Sequence, residues 1–236
     1  MKVCIVTGIT GTLGSELVNK LKNNGYFVVG FSRKNCEFVD YNIICDFLNF
    51  NYDDVKEKLL KIIQEISDVE SIDLVHCAGH YEKEKKFDIE FNKNLFEKTF
   101  SINVGAFYNI VNILTIICDK FKVKSSVVAV SSNLTIKKNT LTAPYVSSKI
   151  ALEGMVQSFA QTYGYLDMRF NSVCPGMFAS NMNGHFVPEN FIENTPLKRL
   201  GKVEDIIDAI MFLLSDNSKC VTANKIIVDG GGSNGY

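Results

Sequence analysis

The stretch VCIVTGITGTLG, Val3 to Gly14, runs from a short apolar segment into three glycines spaced three apart and on into a helical pattern over residues 12 to 23. A strand, a tight turn and a helix start in that order put Gly8, Gly11 and Gly14 where a sharp bend, a close phosphate approach and helix–strand packing exclude a Cβ. The free N–H groups at the start of such a helix face an anion.

The same alternation continues outward from this stretch. Short apolar runs rich in Val and Ile lie at 3 to 6, 27 to 31, 43 to 45, 72 to 75, 126 to 130, 170 to 174 and 226 to 228, as expected of strands buried on both faces. Helical patterns fall between them at about 12 to 23, 53 to 66, 92 to 119, 145 to 163 and 203 to 214. The expectation is a single α/β domain over 1 to 236, a doubly wound parallel sheet of seven strands with helices on both faces. One interval breaks the pattern. Only Ser32 to Tyr41 join the second strand to the third, too few for a helical crossover, so an irregular connection is expected there.

Composition narrows the function. With 46% apolar residues and four Pro the chain suits one domain with a full core. A net charge of −1 with scattered Lys and Arg offers no basic stripe for nucleic acid or anionic lipid, which leaves small-molecule chemistry. Seven Cys, an odd number without a CxxC pair, and an N-terminal apolar stretch too short for a signal peptide point to the cytoplasm. Thr99 to Cys118 carries no charge over 20 residues, but Ser101, Asn103, Asn109 and Asn112 within it argue for a soluble helix buried on more than one side rather than a membrane span. A helix apolar all round suggests a subunit interface.

Chemistry is concentrated between Ser131 and Lys149. Ser131-Ser132 closes the apolar run SSVVAVSS, and Tyr145-Val-Ser-Ser-Lys149 opens a helix 13 residues after Ser132. That spacing offers a hydroxyl, a phenol and an ammonium to one carbonyl oxygen. Two further Tyr-x-x-x-Lys pairs, Tyr52/Lys56 and Tyr81/Lys85, lie in charged segments and read as solvated faces, as does Glu82 to Lys86.

The second strand ends Gly30-Phe31-Ser32-Arg33-Lys34, where an Asp or Glu would bind a ribose 2′-hydroxyl. Two cations and a hydroxyl suit a 2′-phosphate, so NADP(H) is favoured over NAD(H); Glu37 or Asp40 reaching back from the crossover is the other reading. Asp46 is read either as a partner of the adenine amine or as a helix cap.

Taken together these residues resemble the compact branch of the short-chain dehydrogenase/reductase family, and within it 3-oxoacyl-carrier reductases and related ketone, polyol and sugar reductases. The resemblance spans nearly the whole chain: the turn Thr7 to Gly14, Asp46, His76-Cys77-Ala78-Gly79, Asn103, Ser132, Tyr145, Lys149, Asn171 to Gly176, and Val228 to Gly231. It implies a Rossmann-type fold and a dinucleotide held by Gly8, Thr10, Gly11, Thr12, Leu13 and Gly14, by Ser32, Arg33 and Asp46, and by Ala78 and Gly79. Asn103, Tyr145, Lys149, Pro175, Gly176, Phe178 and Ser180 complete that set, with Ser180 on the carboxamide. Three departures stand out: Thr12 in place of a middle glycine, His76-Cys77 in place of two Asn that tie neighbouring strands, and the missing crossover helix.

In the mechanism expected, Tyr145 donates a proton to a ketone oxygen while Ser132 hydrogen-bonds the same oxygen. Lys149, one helical turn on, lowers the phenol pKa by roughly 1 to 3 units, helped by an oxidised nicotinamide. The resemblance adds that Lys149 holds the nicotinamide ribose and that Asn103 fixes a water relaying protons to solvent; without it, Asn103 reads as a buried amide satisfied by backbone. Residues 177 to 200, with Phe178, Phe186 and Phe191, are the expected substrate loop. No metal is expected: His80 and His185 read as bystanders, and the strand end between His76 and His80 argues against a helical pair. A catalytically idle NADP(H) sensor and a sugar-nucleotide epimerase are the competing functions. The resemblance also implies a homotetramer or homodimer built on the helices at 92 to 119 and 145 to 163 and on the last strand.

Overall fold

The computed structural model describes residues 1–179, 192, 193 and 195–233. Seven strands, β1 (Lys2–Thr7), β2 (Tyr26–Ser32), β3 (Tyr41–Ile44), β4 (Ser71–His76), β5 (Ser125–Val130), β6 (Met168–Pro175) and β7 (Asn224–Val228), form one parallel sheet in the order β3-β2-β1-β4-β5-β6-β7. The order reverses between β1 and β4, so the chain leaves the sheet in opposite directions there and opens a crevice at the carboxyl ends of the strands.

Alternation along each strand divides the apolar side chains between two layers. Val3 and Ile5 of β1 join Leu74, Val127 and Phe170 under α2 (Tyr52–Glu65), α4 (Ala106–Phe121) and α5 (Ala143–Tyr163). Cys4 and Val6 face the other way, with Val28, Val75 and Val173, onto α1 (Thr12–Asn23) and α6 (Val203–Leu214). Helices on both faces and the seven strands match the expectation.

The helix expected over 92 to 119 is α3 (Ile89–Phe100) and α4, joined through a π turn at Ser101–Gly105 in which the Ala106 N–H bonds back to the Ser101 carbonyl. By length and composition the run Ile89–Phe121 would cross a membrane; here Phe107, Ile110, Val111, Ile113, Leu114 and Ile117 are buried in the domain core.

The connection between β2 and β3 contains no helix, as its length requires. Its substitute is packing. Val39 is buried, and a Cβ at Gly30 would meet its Cγ1 at 2.9 Å and Ile9 Cδ1 at 2.6 Å, so a glycine in β2 makes room for the loop that replaces the helix. Asp40 then fastens the loop, its carboxylate accepting from the Val28 N–H at 2.8 Å and pairing with Lys22 at 3.1 Å. All seven cysteines are free thiols.

Candidate active site

At the phosphate turn, Gly8 has φ +71°, and a Cβ on it would lie 2.8 Å from the Ala78 nitrogen; one on Gly14 would lie 2.2 Å from the Gly8 carbonyl oxygen. Both glycines are required by the fold. Gly11 is not: its φ is −80°, and the nearest atom to an added Cβ, the Gly8 carbonyl oxygen, is 3.4 Å away. Helix α1 starts without a capping side chain or an acidic residue in its first turn. A bare, electropositive helix start beside a glycine that only a ligand would demand fits a pyrophosphate.

Beyond the turn, the adenine side differs in part from expectation. The Ser32 hydroxyl is buried, donates to the Lys34 carbonyl and meets the Asn42 side-chain amide at 2.8 Å, so it shapes the β2–β3 connection instead of facing a ligand. Arg33 is exposed and makes no ion pair among the described residues. Asp46 serves as a cap, its Oδ1 accepting from the Leu48 N–H at 3.1 Å. Asp40, held by Val28 and Lys22, is not free to reach back toward a ribose.

At the tip of β4 the support expected from two asparagines is made by Thr7. Its hydroxyl accepts from the Ala78 N–H at 3.1 Å and bonds His76 Nδ1 at 3.0 Å, tying β1 to β4. Burial, and next the Lys149 charge, push the His76 imidazole down to about 3, so it stays neutral. His76 ends a strand and His80 follows in a loop, and among the described residues no cluster of three His, Cys, Asp or Glu could hold a metal. Asn103, inside the π turn and fully buried, spends its amide on protein groups. Its Oδ1 accepts from the His80 N–H at 2.7 Å, and its Nδ2 donates to the His80 carbonyl at 3.2 Å and the Ser148 hydroxyl at 2.9 Å. Ser148 in turn donates to the Tyr145 carbonyl at 2.7 Å. The Asn103 side chain therefore fastens the β4 tip to the helix that carries Tyr145.

Ser132, Tyr145 and Lys149 come together as expected, all buried at the carboxyl ends of β5 and β6. The Lys149 ammonium donates to the Val130 carbonyl at 2.8 Å and lies 5.7 Å from the Tyr145 ring centroid; burial brings it down to about 8. The Tyr145 phenol moves opposite to expectation, pushed up to about 12 by burial, with the Ser132 hydroxyl working in the other direction. One of the three Lys149 N–H donors goes to Val130, and in the chain by itself desolvation of the phenolate prevails. Ser132 Oγ accepts from the Leu134 N–H at 3.2 Å, which leaves its proton to donate.

Two residues at this site escaped the sequence reading. Tyr81, taken for a solvated residue, stands edge-on to Tyr145 with ring centroids 5.0 Å apart at 85°. Its position, two residues past Gly79 at the carboxyl edge of the sheet, was the available signal. Glu153, one turn beyond Lys149, accepts from the Ser131 hydroxyl at 2.7 Å and pairs with Lys225 at 3.1 Å. Burial opposes its ionisation, but hydrogen bonds from Ser131, Thr135, Lys225 and Cys174 hold its carboxyl below the usual range. At the end of β6, Gly176 follows Pro175 and donates to the Val228 carbonyl at 2.8 Å; a Cβ on it would meet Asp229 Cβ at 2.5 Å. Phe178 packs on the α1 and α6 layer and bridges to Gly201. Ser180, His185, Phe186 and Phe191 lie outside the described residues.

A family model described as enoyl-(acyl carrier protein) reductase matches residues 51–233. The L-xylulose reductase of Caenorhabditis elegans is 26% identical over 99% of this chain and 96% of that protein. The 3-oxoacyl-[acyl-carrier-protein] reductase of Thermotoga maritima is 26% identical over 98% of this chain and 97% of its own length. Among solved structures, 4-hydroxyisoleucine dehydrogenase complexed with NADH superposes with a TM-score of 0.85 at 21% identity, covering 100% of both chains. With the glycine turn and the Ser132, Tyr145 and Lys149 corner along the carboxyl edge of its sheet, the chain belongs to the short-chain dehydrogenase/reductase family, oxidoreductases that interconvert ketones and alcohols with nicotinamide dinucleotides.

Proposed function

We propose that the chain reduces the ketone of a small molecule to a secondary alcohol with NADPH, and runs the reverse oxidation with NADP⁺. The observation that carries this reading is the buried corner made by Ser132, Tyr145 and Lys149 at the carboxyl edge of the sheet. The bound nicotinamide supplies or accepts the hydride. Tyr145, pushed up to about 12, keeps its proton at neutral pH and gives it to the carbonyl oxygen as charge develops there. Ser132 donates to the same oxygen, and its N–H bond from Leu134 orients its lone pairs away from the substrate. Lys149 supplies the positive charge that favours the phenolate once proton transfer has occurred, and holds the nicotinamide ribose. Asn103 acts by positioning, its side chain engaged by His80 and Ser148.

The preference for NADP(H) rests on Arg33, an exposed cation that makes no ion pair among the described residues, and on the confinement of Asp40, one of the two acids, with Glu37, that could reach a ribose hydroxyl. Gly8, Thr10, Gly11, Thr12, Leu13 and Gly14 take the pyrophosphate; Ala78 and Gly79 line the adjoining crevice, and Pro175 and Gly176 the nicotinamide end. The substrate loop expected over residues 177 to 200 lies in large part outside the described residues. The partly exposed Tyr108 and Ile116 of α4 and Ile150 of α5 form the face on which a second copy packs, consistent with a tetramer. The protein works in the cytoplasm on a small carbonyl or alcohol, such as an oxoacyl thioester, a simple ketone or a sugar.

The test is NADPH oxidation against a panel of acyl thioesters, ketones and keto-sugars, in the native chain and in Tyr145→Phe. Turnover that depends on Tyr145 supports the reading; full activity in the variant overturns the proton-donor assignment. Sedimentation at micromolar concentration tests assembly, and a monomer there overturns the tetramer.

A further inference from the structure

The segment from His80 to Glu84 is fastened at both ends. Asn103 grips the main chain of His80 through both its N–H and its carbonyl. Four residues on, the Glu84 N–H donates to the Leu141 carbonyl at 2.9 Å, and the Glu84 carboxylate accepts from the Ala143 N–H at 3.1 Å. Ala143 is the first residue of α5, and Thr142 gives that helix no side-chain cap because its hydroxyl bonds the Asn139 carbonyl instead. Glu84 thus caps the Tyr145 helix from a distant part of the chain, with its negative charge at the positive end of the helix.

Between these two anchors stands Tyr81. Its ring meets that of Tyr145 at 5.0 Å and 85°, an edge-to-face contact. Admitting a flat group between two rings needs about 7 Å, twice the ~3.5 Å carbon contact distance, so that flank of the phenol is closed. The wall also starts from the carboxyl ends of the strands, where ligands of open α/β sheets bind.

We propose that Tyr81 is a specificity-determining residue, a fixed aromatic wall that restricts the carbonyl substrate to a slender chain or small ring and excludes wide fused-ring ketones. This rests on the reading of Tyr145 as the proton donor. A wall held on both sides does not yield to a bulky ligand as a free loop does, so the restriction falls on productive binding at the phenol and not on entry to the crevice. Truncating Tyr81 opens room beside Tyr145 and removes the contact that holds its ring in place.

The experiment compares kcat/KM for a straight-chain 3-oxoacyl thioester and a fused-ring steroid ketone, with NADPH, in the native chain, Tyr81→Phe and Tyr81→Ala. The native chain prefers the thioester, Tyr81→Phe preserves that ratio, and Tyr81→Ala shifts it toward the steroid by about tenfold or more. Tyr81→Leu carries the comparison if the Ala variant does not fold. An unchanged ratio in the truncated variants, or a native preference for the steroid, overturns the assignment while leaving the reductase reading intact. A native chain that reduces no carbonyl in the wider panel overturns both.

Discussion

The buried Lys149 ammonium donates to the Val130 carbonyl at 2.8 Å, two residues before Ser132 on the same strand edge. One turn along the helix, Glu153 takes the hydrogen bond of Ser131. Helix and strand are therefore pinned at adjacent residues, and the distance between the Ser132 and Tyr145 hydroxyls is set by these polar contacts as well as by apolar packing.

Replacing Tyr145 with Phe is expected to lower kcat by about 10²- to 10⁴-fold, the usual contribution of a positioned acid, while NADPH affinity changes little. Steady-state kinetics and fluorescence titration of the dinucleotide check the two halves separately.

In the direction of alcohol oxidation the phenolate is the base. Removing the Lys149 cation disfavours that anion, so residual activity in Lys149→Met should rise only at higher pH, its limb displaced by roughly 1 to 3 units. A pH–rate profile that does not move would show that Lys149 does not tune the phenol.

Arg33→Ala should weaken NADPH by roughly 10- to 100-fold, the value of a charged hydrogen bond to phosphate, and leave NADH almost unaffected. Equal losses for both dinucleotides would remove Arg33 from the 2′-phosphate.

The glycines of the turn should separate. An Ala at Gly14 meets the Gly8 carbonyl at 2.2 Å and is expected to destabilise the fold by about 2 kcal/mol or more, whereas Ala at Gly11 costs about 1 kcal/mol and acts mainly on dinucleotide binding. Denaturant melts beside binding titrations distinguish them.

Away from the site, Asp73 is buried in β4, where its carboxylate accepts from the Ser126 N–H at 2.7 Å and burial pushes it up to about 7. Its folded pKa lies above the unfolded value of about 4, so between those values the folded chain holds a proton that the unfolded chain has released. The stabilisation is complete below about pH 4 and is lost as pH rises through 7, a change of roughly 4 kcal/mol at most. Urea midpoints for the native chain should fall across this window relative to Asp73→Asn, which keeps the acceptor and loses the charge.

Strands and helices were legible because their signals are local: Val-rich runs such as 126 to 130, and apolar spacing such as Leu13, Leu17 and Leu21, carry their own period. Ser132, Tyr145 and Lys149 were legible by spacing along a strand end and a helix face. What failed depended on tertiary contacts. The hydroxyl of Ser32 looked available until the connection folded back on it, while Asp46 takes the cap role that was one of its two readings. Tyr81 sits beside Glu82 to Lys86, whose charges signal solvent, yet Glu84 docks on Ala143, 59 residues away, and carries the aromatic ring inward. Burial pushes the Tyr145 phenol up instead of down, and a helical spacing of four, which places Lys149 beside it, does not reveal how completely the ring is desolvated.

The Thr7 hydroxyl joins the glycine turn to the tip of β4, through Ala78 and His76. Grip on a dinucleotide and aim of its reactive end are thereby set by one rigid piece of backbone. A sequence change within that piece reaches both, whereas an exchange at Arg33, on the exposed rim, is expected to change the grip without moving the aim.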